Sequence, residues 1–140
     1  MKTAVVLSIR GRQSYGDQEP EEIQLVTEGT LEQTDEGWKL CYEESELTGL
    51  QGASTTFLIK DKEVTLRRNG RLNSEMVFRE GVSHDSLYQM EFGALMLTVC
   101  ATRVEADLTP DGGVIDLSYH IEVEQSAAGT IEYHLDITRK

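Results

Sequence analysis

From Val5 to Ile137 the apolar residues of this chain fall mostly on alternate positions. Val5, Leu7 and Ile9 alternate with Val6, Ser8 and Arg10. Ile23, Leu25, Thr27, Gly29 and Leu31 share one face of a second segment, and Trp38, Leu40 and Tyr42 a face of a third. Phe57 and Ile59 follow, then Val64 and Leu66, then Leu72, Met76 and Phe78. A long segment begins with Leu95, Leu97 and Val99. Ile115 to Val123 and Ile131 to Ile137 alternate most clearly of all. A period of two marks strands with one buried face, and about nine of them with turn residues between most read as an all-β sandwich or barrel. Pro20 and Pro110, the two prolines, both fall in loops. The one stretch that reads as a helical turn is Ser83–Met90.

Residues opposed across a ladder must point to the same face, so the pattern also constrains the hairpins. A three-residue loop Arg68-Asn69-Gly70 pairs Leu66 with Leu72 and Val64 with Ser74, with Gly70 in a left-handed position. Ala127-Ala128-Gly129 allows the same geometry, which puts His120 opposite Asp136 and His134 opposite Glu122. A four-residue loop Pro110–Gly113 pairs Val104 with Tyr119 and Ala106 with Leu117. Leu95, Leu97 and Val99 lie on odd positions, but Val104 and Ala106 on even ones. The switch predicts a β-bulge near Cys100 to Thr102.

The 140 residues are read as one domain, 1–140. The formal net charge of -12 disfavours nucleic acid and anionic membranes as partners. Cys41 and Cys100 are too few for a disulfide framework or zinc site and read as free thiols of a reducing compartment. Arg10 and Arg12 interrupt the first apolar run, which leaves no signal peptide and makes the cytoplasm the expected location.

Against this acidity, the stretch "LRRNGRLNSEMVFREG", Leu66 to Gly81, gathers four arginines around one Asn-Gly turn. In the register above Arg67 faces Arg71, and like charges directly opposite are destabilising unless neutralised. An internal charge match is one reading, with "YEESE", Tyr42 to Glu46, the densest acidic run. An anion-recognition patch at one end of a barrel is another, since the guanidinium fork suits carboxylate or phosphate. A partner-protein contact is a third.

Several short strings, in order along nearly the whole chain, carry a family resemblance. They are "TEG" (Thr27 to Gly29), "YEESELTG" (Tyr42 to Gly49), "TTFLI" (Thr55 to Ile59), "LRRNG" with Arg68 and Gly70, and "MVF" (Met76 to Phe78). Tyr88, "FG" (Phe92-Gly93) and Thr102 complete them. In these the chain resembles the YwiB-like family of small uncharacterised bacterial proteins. The resemblance implies a single antiparallel calycin-like (lipocalin-like) β-barrel of about eight to ten strands. It implies no established activity and supplies no catalytic residues.

The residues themselves point to little chemistry. There is no G-x-S-x-G, no cysteine with a nearby histidine, and no Gly-rich phosphate loop. His120 and His134 with Asp136 and Glu122 form either ordinary cross-strand pairs, the preferred reading, or a metal site. No catalytic residue, metal or cofactor is therefore expected. Glu43 and Glu44, adjacent on a strand, point to opposite faces and make a poor acid–base dyad. A barrel of this size is either filled by side chains or holds one small ligand. The expected function is non-enzymatic binding of a small ligand in or at the mouth of the barrel. The alternative is a protein-interaction module with a filled core. The candidate ligand contacts are Arg68, Tyr42, Tyr88, Tyr119, Tyr133 and Trp38. Arg68 is expected to fold over the mouth and pair with a ligand carboxylate, or with a tyrosine or carboxylate of the barrel.

Overall fold

The computed structural model describes residues 2–14, 19–44, 52–70, 73–90, 93–123 and 126–140, and within these the chain is strand almost throughout. The elements are β1 (Lys2–Ser14), β2 (Glu21–Gln33), β3 (Trp38–Glu43), β4 (Ala53–Lys60) and β5 (Glu63–Gly70), then β6 (Ser74–Phe78), β7 (Ser83–Met90), β8 (Gly93–Thr109), β9 (Gly112–Val123) and β10 (Ser126–Arg139). From β1 to β6 and from β7 to β10 consecutive strands pair antiparallel, and β1 pairs with β10, from Val5 opposite Arg139 to Ser14 opposite Thr130. The result is a ten-stranded up-and-down barrel, all-β as the alternation predicts. Its seam lies between β6 and β7. There the backbones of Asn73 and Gln89 exchange hydrogen bonds of 2.9 and 2.8 Å, and the Ser86 hydroxyl donates to the Glu75 carbonyl.

Ser83–Met90 is a strand, not a helical turn. It pairs with β8 from Ser83 opposite Cys100 to Met90 opposite Gly93. Ser86 is buried, His84 and Tyr88 are half-buried, and Asp85, Leu87 and Gln89 are exposed. The period of two is present, but its inward residues are polar, so an apolar pattern does not reveal it.

Three hairpin registers differ from the expected ones. In β5–β6, Leu66 faces Met76 and Val64 faces Phe78. A longer loop gives each buried residue an apolar partner, and β5 runs on to Gly70 because β4 offers it Ala53 as a partner. Arg67 accordingly faces Glu75; Arg71 and Leu72 lie outside the described residues. In β9–β10, Gly129 is not in the loop but pairs with Ile121, beside a bulge between Ala127 and Gly129. This places His120 opposite Thr130 and His134 opposite Asp116. In β8–β9, Val104 faces Leu117 and Ala106 faces Ile115, leaving Pro110-Asp111 as the turn. That shift is even, so every side chain keeps its expected face. The bulge in β8 falls between Ala101 and Arg103, where the face switch predicts it. It leaves the Val104 N–H free to donate to the Glu80 carboxylate at 2.9 Å.

The barrel interior has two halves. At the end carrying the β2–β3 and β4–β5 turns it is filled: Leu7, Leu31, Leu40, Leu66, Phe78, Ile115, Leu117 and Leu135 are all buried to 1% exposure or less. Two glycines permit the tight passage of the chain. A Cβ on Gly29 would lie 2.3 Å from the Cys41 carbonyl oxygen of the paired strand. Gly70 has φ +120°, and a Cβ there would lie 2.4 Å from the Gly52 carbonyl oxygen. Gly29→Ala and Gly70→Val are each expected to destabilise the fold by about 1–3 kcal/mol, the first through overpacking and the second through backbone strain. Urea denaturation midpoints equal to wild type in either variant would refute the close approach at that position.

Candidate functional site: a polar cavity at one end of the barrel

The inward positions change character toward the other end. Tyr42 and Glu44 follow Leu40 on the inner face of β3, and Arg68 follows Val64 and Leu66 on that of β5. Tyr119 lies above Leu117 on β9, with its ring 4.5 Å from that of Phe78, which caps the filled half. Gly11 stands opposite Tyr133, whose ring packs over the space a side chain would need. These residues enclose a cavity of about 330 Å³ with Tyr88 and a largely aliphatic wall, Ile9, Leu25, Leu97, Ile121 and Ile131 among it.

The polar groups form one connected cluster. Thr55, fully buried and paired with Arg68 across β4–β5, donates its hydroxyl to Glu44 Oε1 at 2.8 Å. The Tyr42 hydroxyl also hydrogen-bonds to Glu44, which is itself buried. Burial first, and then Glu44, push the Tyr42 phenol far above the ordinary tyrosine range. Tyr88 is raised as well, chiefly by burial, with Arg68 opposing. Burial works against the Arg68 charge, but Tyr133, Tyr42, Glu44 and Tyr119 outweigh it, and its pKa rises. A charged guanidinium therefore sits inside the barrel, and its Nε is shielded from solvent with no hydrogen-bond partner among the described residues.

Five of the six expected contact residues, Arg68, Tyr42, Tyr88, Tyr119 and Tyr133, thus meet around one cavity. Trp38 does not. It lies near the opposite end of β3 and lines a separate depression with Lys60, Asp61 and Leu108. It shares a face with Tyr42, but four residues of strand, roughly 13 Å, separate them along the barrel. Sequence reasoning missed Glu44, although continuing the Trp38–Leu40–Tyr42 face by one step reaches it. Glu43 and Glu44 do point to opposite faces: Glu43 is exposed and accepts the Ser54 hydroxyl at 2.9 Å.

A family of proteins described as Domain of unknown function (DUF1934) matches residues 7–137. The chain belongs to this family. Its fold is shared with the ywiB protein from Bacillus subtilis, whose crystal structure superposes with a TM-score of 0.82 at 22% identity, over 96% of this chain and 92% of that one. The resemblance read from the ordered motifs therefore holds, as does the single-barrel fold it implies. No curated protein matches the chain. Among the described residues no helix is long and apolar enough to cross a membrane.

Arg67 and Arg79 of the cluster serve the outer wall. Arg67 pairs with Glu75 at 3.2 Å and Arg79 with Glu63 at 2.7 Å, both across strands and largely exposed. On the last hairpin, His134 bridges Asp116 and Asp136, while His120 bonds Thr130. Among the described residues no group of three or more side chains is placed to hold a metal ion.

The tyrosine cluster gives the fold an alkaline limit. A phenol whose folded pKa lies above the unfolded value of about 10 contributes stability that is complete below that value and is lost as pH rises past it. Stability is expected to fall above pH ~10 in wild type and to fall less steeply in Tyr42→Phe. Urea midpoints measured from pH 8 to 11 check this; parallel profiles would refute the buried, carboxylate-bonded state of Tyr42.

Proposed function

We propose that this protein is a non-enzymatic binder of a small ligand, held in the cavity enclosed by Arg68 and the four tyrosines. The observation that carries the reading is the half-filled barrel. One end is packed with aliphatic side chains, and the other keeps about 330 Å³ with its polar groups gathered in one cluster. Ligand sites are mostly apolar concavities of about 300–1,000 Å³ with a few convergent polar groups, and this cavity fits that description. Cys41 and Cys100, both free and half-buried, support a reducing compartment such as the cytoplasm. The alternative role, a protein-interaction module, has some support on the outer wall. Leu87 and Met96 stand directly opposite each other on β7 and β8, 45% and 42% exposed. Two such residues make a small patch, whereas monomer surfaces commonly carry larger ones.

The test uses a neutral apolar fluorophore, N-phenyl-1-naphthylamine. Wild type is expected to bind it saturably at one site. Ile121→Trp, which fills the cavity from a half-buried wall position, is expected to weaken binding by about tenfold or more while keeping the β-type circular dichroism spectrum. Absence of saturable binding, or equal binding by folded Ile121→Trp, would overturn the reading.

A further inference from the structure

We propose that the ligand of this cavity carries a carboxylate, received by Arg68. The inference rests on the ligand-binding reading and narrows it to one chemical class.

Arg68 and Ser74 stand directly opposite each other on β5 and β6. Both point inward, since they continue the faces of Val64, Leu66, Met76 and Phe78. Arg68 Nε and Ser74 Oγ are each shielded from solvent, and among the described residues each lacks a hydrogen-bond partner. Buried polar atoms without partners are rare, and each calls for an explanation. Arg68 Nε–H is a donor only, and a serine hydroxyl can rotate to donate beside it. Nearby Glu44 receives Thr55 and Tyr42. Neither atom meets an acceptor among the described residues, and of the two side chains Arg68 is the one that lines the cavity.

The charge of Arg68 favours an anionic acceptor, and the edge of a guanidinium matches the two oxygens of a carboxylate. A phosphate dianion would bring more charge than one arginine balances, with the Glu44 carboxyl in the same cavity. The remaining wall is mostly aliphatic and aromatic, with Gln13, and it continues to solvent through Ile23 and Leu95, 42% and 36% exposed. An amphipathic monocarboxylate fits this layout, with its acid group at Arg68 and its aliphatic or aromatic body along Leu25, Leu97 and Ile131.

The test is calorimetric titration of wild type, Arg68→Lys, Arg68→Gln and Ser74→Ala with octanoate, octanamide and 1-octanol, three probes that differ only at the polar end. Wild type is expected to bind octanoate about tenfold or more tighter than octanamide. Arg68→Gln should erase that preference. Arg68→Lys, which keeps the charge but not the fork, should retain part of it. Ser74→Ala, which removes a neighbour of Arg68 that does not line the cavity, should leave the octanoate preference in place. A two-dimensional amide NMR spectrum confirms the fold of each variant. If Arg68→Gln does not fold, the lysine variant carries the comparison. Equal affinity for the three probes, or a carboxylate preference that survives both Arg68 substitutions undiminished, would overturn the carboxylate assignment and leave the cavity reading standing. Wild type that takes up N-phenyl-1-naphthylamine but no octanoate would also overturn it. Loss of both would sink the two readings together.

Discussion

Closure of the barrel is the constraint on which the other features depend. An open ten-stranded sheet would expose two edges of unpaired backbone groups, and its inner face would have nothing to pack against. Pairing of the first and last strands, β1 with β10, joins the two chain ends. The short β6 and β7 complete the circuit with the Asn73–Gln89 bonds at one end of the seam and the Ser86 hydroxyl on the Glu75 carbonyl within it. The bulge after Ala101 lets β8 turn along this circuit. The backbone donor it frees is taken by Glu80, from the turn that connects the two seam strands.

Once the ring is closed, every second residue of ten strands meets inside, and the composition of those positions decides what the interior is. Leu7, Leu66, Phe78, Leu117 and Leu135 fill one half as an ordinary core. Two residues further along the same faces stand Arg68, Tyr119 and Tyr133, with Ile9 and Met76. The change follows the strand direction, so the polar positions converge although they come from strands far apart in sequence. A buried arginine is a costly core residue, and an apolar residue of similar volume is often at least as stable. Glu44 offsets part of that cost without meeting Nε, and the half of the barrel that holds the pair gives up packing density for space.

The strand period, the β8 bulge and the inward side of most strands were legible in the chain itself. Alternation is a local property, and a face switch between Val99 and Val104 needs no partner to be seen. Arg68 and its tyrosines were legible for the same reason, as continuations of apolar faces or as motif residues. The opposite directions of Glu43 and Glu44 follow from geometry that belongs to any strand.

Pairing was not legible, because register is set by which residues find partners across a gap, and many registers satisfy one local pattern. Leu66 meets Met76 rather than Leu72 only because β4 holds β5 in line as far as Gly70. β7 hid behind inward residues that are polar, and their burial depends on the seam beside them. Trp38 and Tyr42 share a face, yet only the closed barrel assigns them to opposite ends. What the chain alone carries is an all-β pattern of alternating strands, a barrel through its family resemblance, and an arginine near a turn that continues the face of Val64 and Leu66. Only the tertiary fold shows that the interior is half filled, and that Arg68, Glu44 and the tyrosines share one cavity. The physical reason is that alternation requires only neighbours along the chain, whereas a cavity requires knowing which strand ends stand side by side.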